Sequence, residues 1–335
     1  MNPVTTMAMT ALDCDIDAIA AVEVSVIMAT RNARQRIAPA IEAVLVAIDH
    51  ANLNVEFIVA DNASTDHTAE LIESRWPSRA RVLRVDALGA SSAKNAAVHS
   101  SRGDIMLFLD DDICVPENWV EALTSPLRAG DADIVCGAIR LAPHLDRRNM
   151  TDYHRRLLAD TGPGLGTPPT TVVGGSMAVT RTVFDSGIWF HPELGPGQSG
   201  FMEEHMWFRE ALDSGYRAVG VDAAPVTHHV DPSRLERIGW LTRAIHQGRS
   251  EALARVLYTP DSITFRDSIR GLRAVVRRGV YAVIDRRRPI PSSRYLQAVA
   301  AQHATIGFIQ QRRRRRSPVT TSGVRAGVAV RTRHG

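Results

Sequence analysis

The chain has 335 residues, 44% of them hydrophobic, and a formal net charge of +4, enough apolar material for one large domain with an appendage and too much for a disordered or fibrous chain. Cys14, Cys114 and Cys136 are too few and scattered for a disulfide framework or a zinc site, which points to a reducing compartment. No segment offers about 18 uninterrupted apolar residues, the length of a membrane span, and the first basic residue, Arg31, follows Asp13, Asp15, Asp17 and Glu23, the wrong pattern for a secretory signal.

Residues 1–22 show no periodicity and are expected to be poorly ordered. "VEVSVIMATRN" (22–32) then reads as a buried strand entering a polar loop, and "RIAPAIEAVLVAIDHA" has helical apolar spacing. "VEFIVADNASTDHTAELIESRW" repeats the plan, with a helix capped within Ser64 to Asp66. "ARVLRVDA" is a third strand, "GASSAKNAAVHSSRGD" a helix started by glycine, and "IMLFLDDD" a fourth strand. Strands alternating with helices predict a mainly parallel sheet covered on both faces, with its ligand beyond the carboxyl ends of the strands. That rim gathers Thr30 to Asn32, Asp61 to Asn62 and Asp110 to Asp112.

Farther on, "PENWVEALTSPL" is a helix and "ADIVCGAIRL" a strand, while 142–171 read as irregular. "VVGGSMAVTRTVFDSGIWF" gives a strand, turn and short helix; "MEEHMWFREALDSGYRAVGVDAAPVTHHV" gives a helix ended near Gly215, a strand and paired histidines. The Gly/Pro loops 160–171 and 191–201 are candidate lids. From about Pro232 the chain becomes helical and basic: residues 262–335 hold 17 arginines against Asp267 and Asp285, a charge of +15, which leaves −11 for the rest.

Three adjacent carboxylates ending an apolar strand repel one another unless a cation or proton intervenes. A P-loop hydrolase is excluded because the sole lysine, Lys94, stands outside any G-x-x-x-x-G-K-[ST] sequence. An aspartyl phosphatase fits Asp110-x-Asp112 only superficially, since that signature belongs near a first strand and continues into Thr or Val where Cys114 stands. A diphosphate, by contrast, approaches an acidic rim through a divalent cation, which also stabilises it as a leaving group.

"VSVIMATRN", "VADNASTD", "GASSAKNAAV", "LFLDDD", "GGSMAVTRTVF", "GFMEEHMWFREALDSGYRA" and "VTHHV", in this order, resemble a family 2 glycosyltransferase with the GT-A fold over about Val24 to Ser250. The resemblance implies an α/β fold, a GT-A-like mixed, mainly parallel sheet flanked by helices, forming a catalytic domain at 23–232; composition sets after it a basic helical C-terminal extension at 233–311 and a disordered arginine-rich tail at 312–335. It implies transfer of a sugar from a UDP-, GDP- or dTDP-sugar to a hydroxyl acceptor such as a lipid-linked glycan, with inversion and with Mg²⁺ or Mn²⁺. A catalytically silent sugar-nucleotide binder and a retaining GT-A enzyme are the alternatives.

By the same resemblance Ala29, Thr30, Arg31, Asn32, Asp61, Lys94, Asp110 and Asp111 bind the nucleotide, Asp61 reading the base and Lys94 lying near base or phosphate. Asp110, Asp112 and His228 hold the metal; Gly174, Gly175 and Ser176 approach sugar or acceptor; and Glu204, or its neighbour Glu203, is the base. His229 is the alternative to His228. For the basic C-terminus, alternating arginines and apolar residues suit an anionic membrane surface, with a solvated or oligomer-forming helical extension as the alternative, and both ahead of nucleic acid, since stacking aromatics are sparse. The expected location is cytoplasmic, or peripheral at the inner face of the plasma membrane.

Overall fold

The computed structural model describes residues 21–162, 164–165, 169, 172–259 and 263–316. The first strands and helices follow the expected alternation: β1 (Val24–Thr30), α1 (Ile37–His50), β2 (Val55–Asp61), α2 (Thr68–Arg75), β3 (Arg81–Arg84), α3 (Ala90–Ser100) and β4 (Ile105–Asp110). Next come β5 (Ile113–Cys114), α4 (Trp119–Arg128), β6 (Ile134–Leu141), α5 (Asp152–Leu157), β7 (Met177–Thr180), α6 (Arg181–Asp185), α7 (Glu203–Asp213) and β8 (Ala218–His228). Three long helices close the chain: α8 (Arg237–Tyr258), α9 (Phe265–Ile284) and α10 (Ser293–Arg316).

One eight-stranded sheet runs in the order β3-β2-β1-β4-β7-β6-β8-β5. Strands β1 to β4 pair in parallel, and β7 enters antiparallel between β4 and β6. Side chains alternate across each strand: Val26 and Met28 face a core built with Ile37, Ile41, Trp119 and Leu123, while Ile27, Ile58 and Phe108 face one built with Ala97, Phe184, Trp207 and Phe208. Both faces are therefore dry, which is why these strands read as continuous apolar runs rather than as alternating ones. The register sets Ala29 beside Asp110 and Thr30 beside Asp61, so the polar ends of three strands share one rim.

Several expectations need correction. Residues 142–171 are not wholly irregular: α5 sits there, closed by Thr151 and His154 in a reciprocal cap, and buries Leu157 against Trp240. The residue before α2 is His67, at φ 65°, rather than one of Ser64 to Asp66; Asp66 instead accepts from the Thr68 amide at 3.1 Å and the Arg34 amide at 3.1 Å, tying β1's loop to α2. Helix α10 continues to Arg316, so the segment expected to be disordered from 312 is helical for its first five residues. The expected disorder of 1–20 and 317–335 and part of the loop 160–171 lie outside the described residues.

The C-terminal helices are packed onto the sheet domain rather than appended loosely. Trp240, Tyr295, Leu296 and Val299 form a third core with Leu141, Leu145 and Leu158 at the end of β6. Helix α9 is different. It buries Gly271 and Ala274 but leaves a row of large apolar side chains exposed.

Candidate active site

The site lies at the carboxyl ends of β1, β2, β4 and β8, closed on one side by the start of α7. Helix α7 begins after Met202 in a left-handed conformation, φ 81°, a costly geometry for a residue with a Cβ. This kink delivers Glu203 and Glu204 into the protein, with favourable charge for the helix N-terminus. Lys94 meets them from α3: its ammonium, 3% exposed, lies 3.5 Å from Glu203 Oε1 and pairs more closely with Glu204 Oε1. The lysine also stands 5.6 Å over the Phe190 ring.

These three groups divide the charge unequally. Burial, and then the charge of Glu204, push Glu203 well above the usual carboxylate range, which favours its protonated form. Burial acts on Glu204 too, but Lys94 and the hydrogen bond from Glu203 outweigh it and leave Glu204 ionised. For Lys94, burial is overcome by Glu204, Glu203 and Asp110, which hold it firmly protonated. Gly174 and Gly195 are required here, since a Cβ at the first would overlap the Glu204 carboxylate and at the second the Glu203 carboxylate.

Beside this cluster, burial pushes Asp110 up to about 6, with Asp112 and Glu204 adding to the rise and Lys94 opposing it. Asp112 accepts from His228, Nε2 to Oδ1 3.2 Å, and from Arg234 at 3.4 Å. Burial would raise Asp112, yet His228, Arg234 and Arg36 together hold it low. His228 is raised against the effect of its burial, chiefly by Asp112, and its Nδ1 lies 2.8 Å from the Leu158 carbonyl. Asp61 is 3% exposed; one oxygen accepts from the Ser64 amide at 3.3 Å, and Oδ1 is buried with no partner among the described residues.

The family model for glycosyl transferase family 2 matches residues 25–188. This region of the chain is a family 2 glycosyltransferase domain. A glycosyltransferase of Streptococcus pneumoniae, GlyG, is 34% identical over 87 residues, 25% of this chain and 29% of that protein. The low-salt glycan biosynthesis hexosyltransferase Agl6 of Haloferax volcanii is 26% identical over 208 residues, 61% of this chain and 47% of its own. The aligned region thus spans less than half the length of either relative. Among solved structures, the mannosyltransferase PcManGT from Pyrobaculum calidifontis, in complex with GDP-Man and Mn²⁺, matches with a TM-score of 0.52 at 17% identity, over 90% of this chain and 77% of that one. The likeness is one of fold, and the fold is GT-A.

Within this family 2 domain the expected residues separate into two groups. Asp61, Asp110, Asp112, Glu203, Glu204, His228, Gly174 and Gly175 are brought together; a Cβ on Gly175 would lie 3.2 Å from Asp110 Oδ2. Ala29 is half-buried, Arg31 exposed, and Asn32 sits at φ 50° with its side-chain oxygen taking the Thr65 amide at 2.8 Å. Ser176, by contrast, is fully buried behind the rim and accepts from the Trp119 indole at 3.1 Å, so it packs α4 against the sheet instead of facing sugar or acceptor. Thr30 and Asp111 bond each other at 2.6 Å, and Arg36 grips Asp111 at 3.0 Å, so this middle aspartate is a clamp between β4 and α1. Lys94 points at glutamates rather than into open space for a phosphate. His229 is exposed, 6.0 Å from the His144 ring, and does not join the site.

No group of three or more His, Cys, Asp or Glu among the described residues is gathered as a ready metal cage. Asp110 ends β4 half-buried, among the charges of Lys94, Asp112, Glu204 and His228. Two carboxylates and an imidazole are donors suited to Mg²⁺ or Mn²⁺, so the chemistry of the site fits such an ion. Sequence reasoning missed Arg36, Arg234 and Arg243. The last donates to the Leu157 carbonyl at 2.6 Å and stacks 5.1 Å over Phe201, close to Arg234 and Asp112. The chain has so many arginines that nothing in the sequence marked these three.

Proposed function

We propose that this chain transfers a sugar from a nucleoside diphosphate sugar to a hydroxyl acceptor, with inversion at the anomeric carbon. The observation that carries the reading is the glutamate pair at the start of α7, held by the chain's only lysine beside the carboxylate rim, with burial raising Glu203 and Lys94 lowering Glu204. An acceptor hydroxyl must lose its proton as it attacks opposite the departing diphosphate, and an ionised carboxylate at the mouth is what accepts it. Glu204 takes that role over Glu203 because it is ionised and the less buried of the two, at 16% against 3% side-chain exposure. Lys94 and Glu203 then hold its carboxylate in place.

At the other end, the unpartnered oxygen of Asp61 suits a hydrogen bond from a nucleobase N–H. Asp110, Asp112 and His228 would hold Mg²⁺ or Mn²⁺, which supplies charge neutralisation for the diphosphate and its departure. Gly174 lets the Glu204 carboxylate lie against the backbone, and Gly175 does the same for Ile113 and Asp110 at the rim. The basic, apolar-faced α9 favours an acceptor at a membrane, such as a lipid-linked glycan.

With the donor nucleotide established by a binding screen, Glu204→Gln should bind donor within about threefold of wild type while sugar transfer falls on the order of 10²–10⁴-fold. The same loss in Glu203→Gln, with Glu204→Gln active, would move the base by one residue. Donor binding without any release of nucleoside diphosphate by the wild-type protein would reduce the chain to a sugar-nucleotide binder. Retention of anomeric configuration in the product would remove the single-displacement role of Glu204.

A further inference from the structure

At about 100° per residue, Phe265, Ile269, Leu272, Val276, Val280 and Val283 of α9 fall within one sector roughly 80° wide. All are exposed, from 36% at Ile269 to 81% at Phe265. Opposite them Gly271 and Ala274 are buried, Gly271 beside Thr305 of α10. Along one flank, between stripe and seam, run Arg266, Arg270, Arg273 and Arg277. The last three join Arg294 of α10 in lining a groove of about 830 Å³.

None of Arg270, Arg273, Arg277 and Arg294 makes an ion pair among the described residues. One acid, Glu251, lines the groove and accepts from Gln247 at 2.8 Å, while the two acids of α9 and its C-cap are engaged internally. Asp267, 0% exposed, caps α9 and binds Arg255 at 2.7 Å; Asp285, 1% exposed, accepts from the Ser292 amide at 2.7 Å and pairs with Arg288 at 3.4 Å. The outer surface of α9 is thus an apolar stripe bordered by a groove in which four arginines outnumber the one carboxylate. Monomers seldom expose a contiguous apolar strip of this kind without a partner. Residues 317–335 of the same chain do not complement it, since they carry Arg325, Arg331 and Arg333 and no acid. A second copy laid antiparallel, stripe to stripe, would set arginine flank against arginine flank.

An anionic lipid surface satisfies both halves, taking the apolar side chains into the acyl boundary and the guanidiniums among its phosphates. We propose that α9 lies in the plane of an anionic membrane surface, with its stripe inserted and the arginine groove occupied by lipid phosphates. Docking of this face needs neither donor nor turnover, so it stands or falls apart from the transfer reaction.

The test is co-sedimentation of the full chain with phosphatidylcholine vesicles, alone or with about one-third phosphatidylglycerol, at about 0.1 M salt. Binding is expected only to the anionic vesicles. Each arginine removed should lower partitioning about fivefold, so Arg270→Gln/Arg273→Gln/Arg277→Gln loses on the order of 100-fold. Leu272→Asp/Val276→Asp, at exposed positions, should abolish binding while leaving the melting temperature unchanged. The proposal is overturned if vesicles of either kind bind equally or not at all, or if the stripe variant pellets like wild type. It is equally overturned if sedimentation equilibrium shows a dimer that the stripe variant breaks, with no vesicle binding, which would assign the face to a second copy.

Discussion

Replacing Lys94 by methionine keeps the volume and removes the cation that Glu203, Glu204 and Asp110 share. Lys94 is 3% exposed and the two glutamates 3% and 16%, so water cannot screen what is left. Breaking a buried pair by removing one partner costs about 3–5 kcal/mol, which for a chain of this size lowers Tm on the order of 10 °C. The pH dependence carries more information than the size. In the wild type, Glu204 titrates below its unfolded value, so its contribution is present above pH ~4.3 and is lost as pH falls. Without Lys94, burial raises Glu204 above that value, and the variant is penalised most at high pH and recovers as protons bind. Urea unfolding at pH 8 and pH 5.5 should therefore show a deficit that shrinks on acidification, and Lys94→Met/Glu204→Gln should regain a large part of it at pH 8. A loss below about 1 kcal/mol at pH 8, or one independent of pH, would refute the buried network.

Asp61→Asn should weaken nucleotide binding about tenfold, measured calorimetrically, while stability changes by less than about 1 kcal/mol, because the oxygen it alters has no partner among the described residues. Asp267 is held down to about 2, first by the Arg255 hydrogen bond and then by Thr264. Its folded value lies below the unfolded one, so its support of α9 is present above pH ~4 and disappears as pH falls toward 2. Far-UV circular dichroism should show helix loss over that window, and Asp267→Asn should start lower and lack that component.

Much of the sheet was legible because both its faces are covered: strands such as "SVIMA" and "IMLFL" carry an unbroken apolar signal that only a doubly buried strand needs. The rim was legible too, since polar residues directly after such strands have to lie at one end of the sheet. Roles set by long-range contact were not. Ser176 reads like Gly174 and Gly175 in sequence, and only the indole of Trp119, 57 positions away, makes it structural. Asp111 reads like Asp110 and Asp112, yet Arg36 from α1 and Thr30 from β1 turn it into a clamp. Lys94 was conspicuous as the only lysine, but its partners sit more than 100 residues later, where the kink at Met202 aims two glutamates inward. Helix α5 was missed because its six residues are too short for periodicity to show, and its existence rests on a cap and on packing against Trp240.

The most direct test of the central claim is a thermal-shift screen of UDP-, GDP- and dTDP-sugars, each with and without Mn²⁺, on the wild type and on Asp112→Ala. The account predicts that one nucleotide raises Tm only when metal is present and that Asp112→Ala, still folded, loses that rise. A metal-independent shift, an undiminished shift in Asp112→Ala, or no shift with any donor would contradict it.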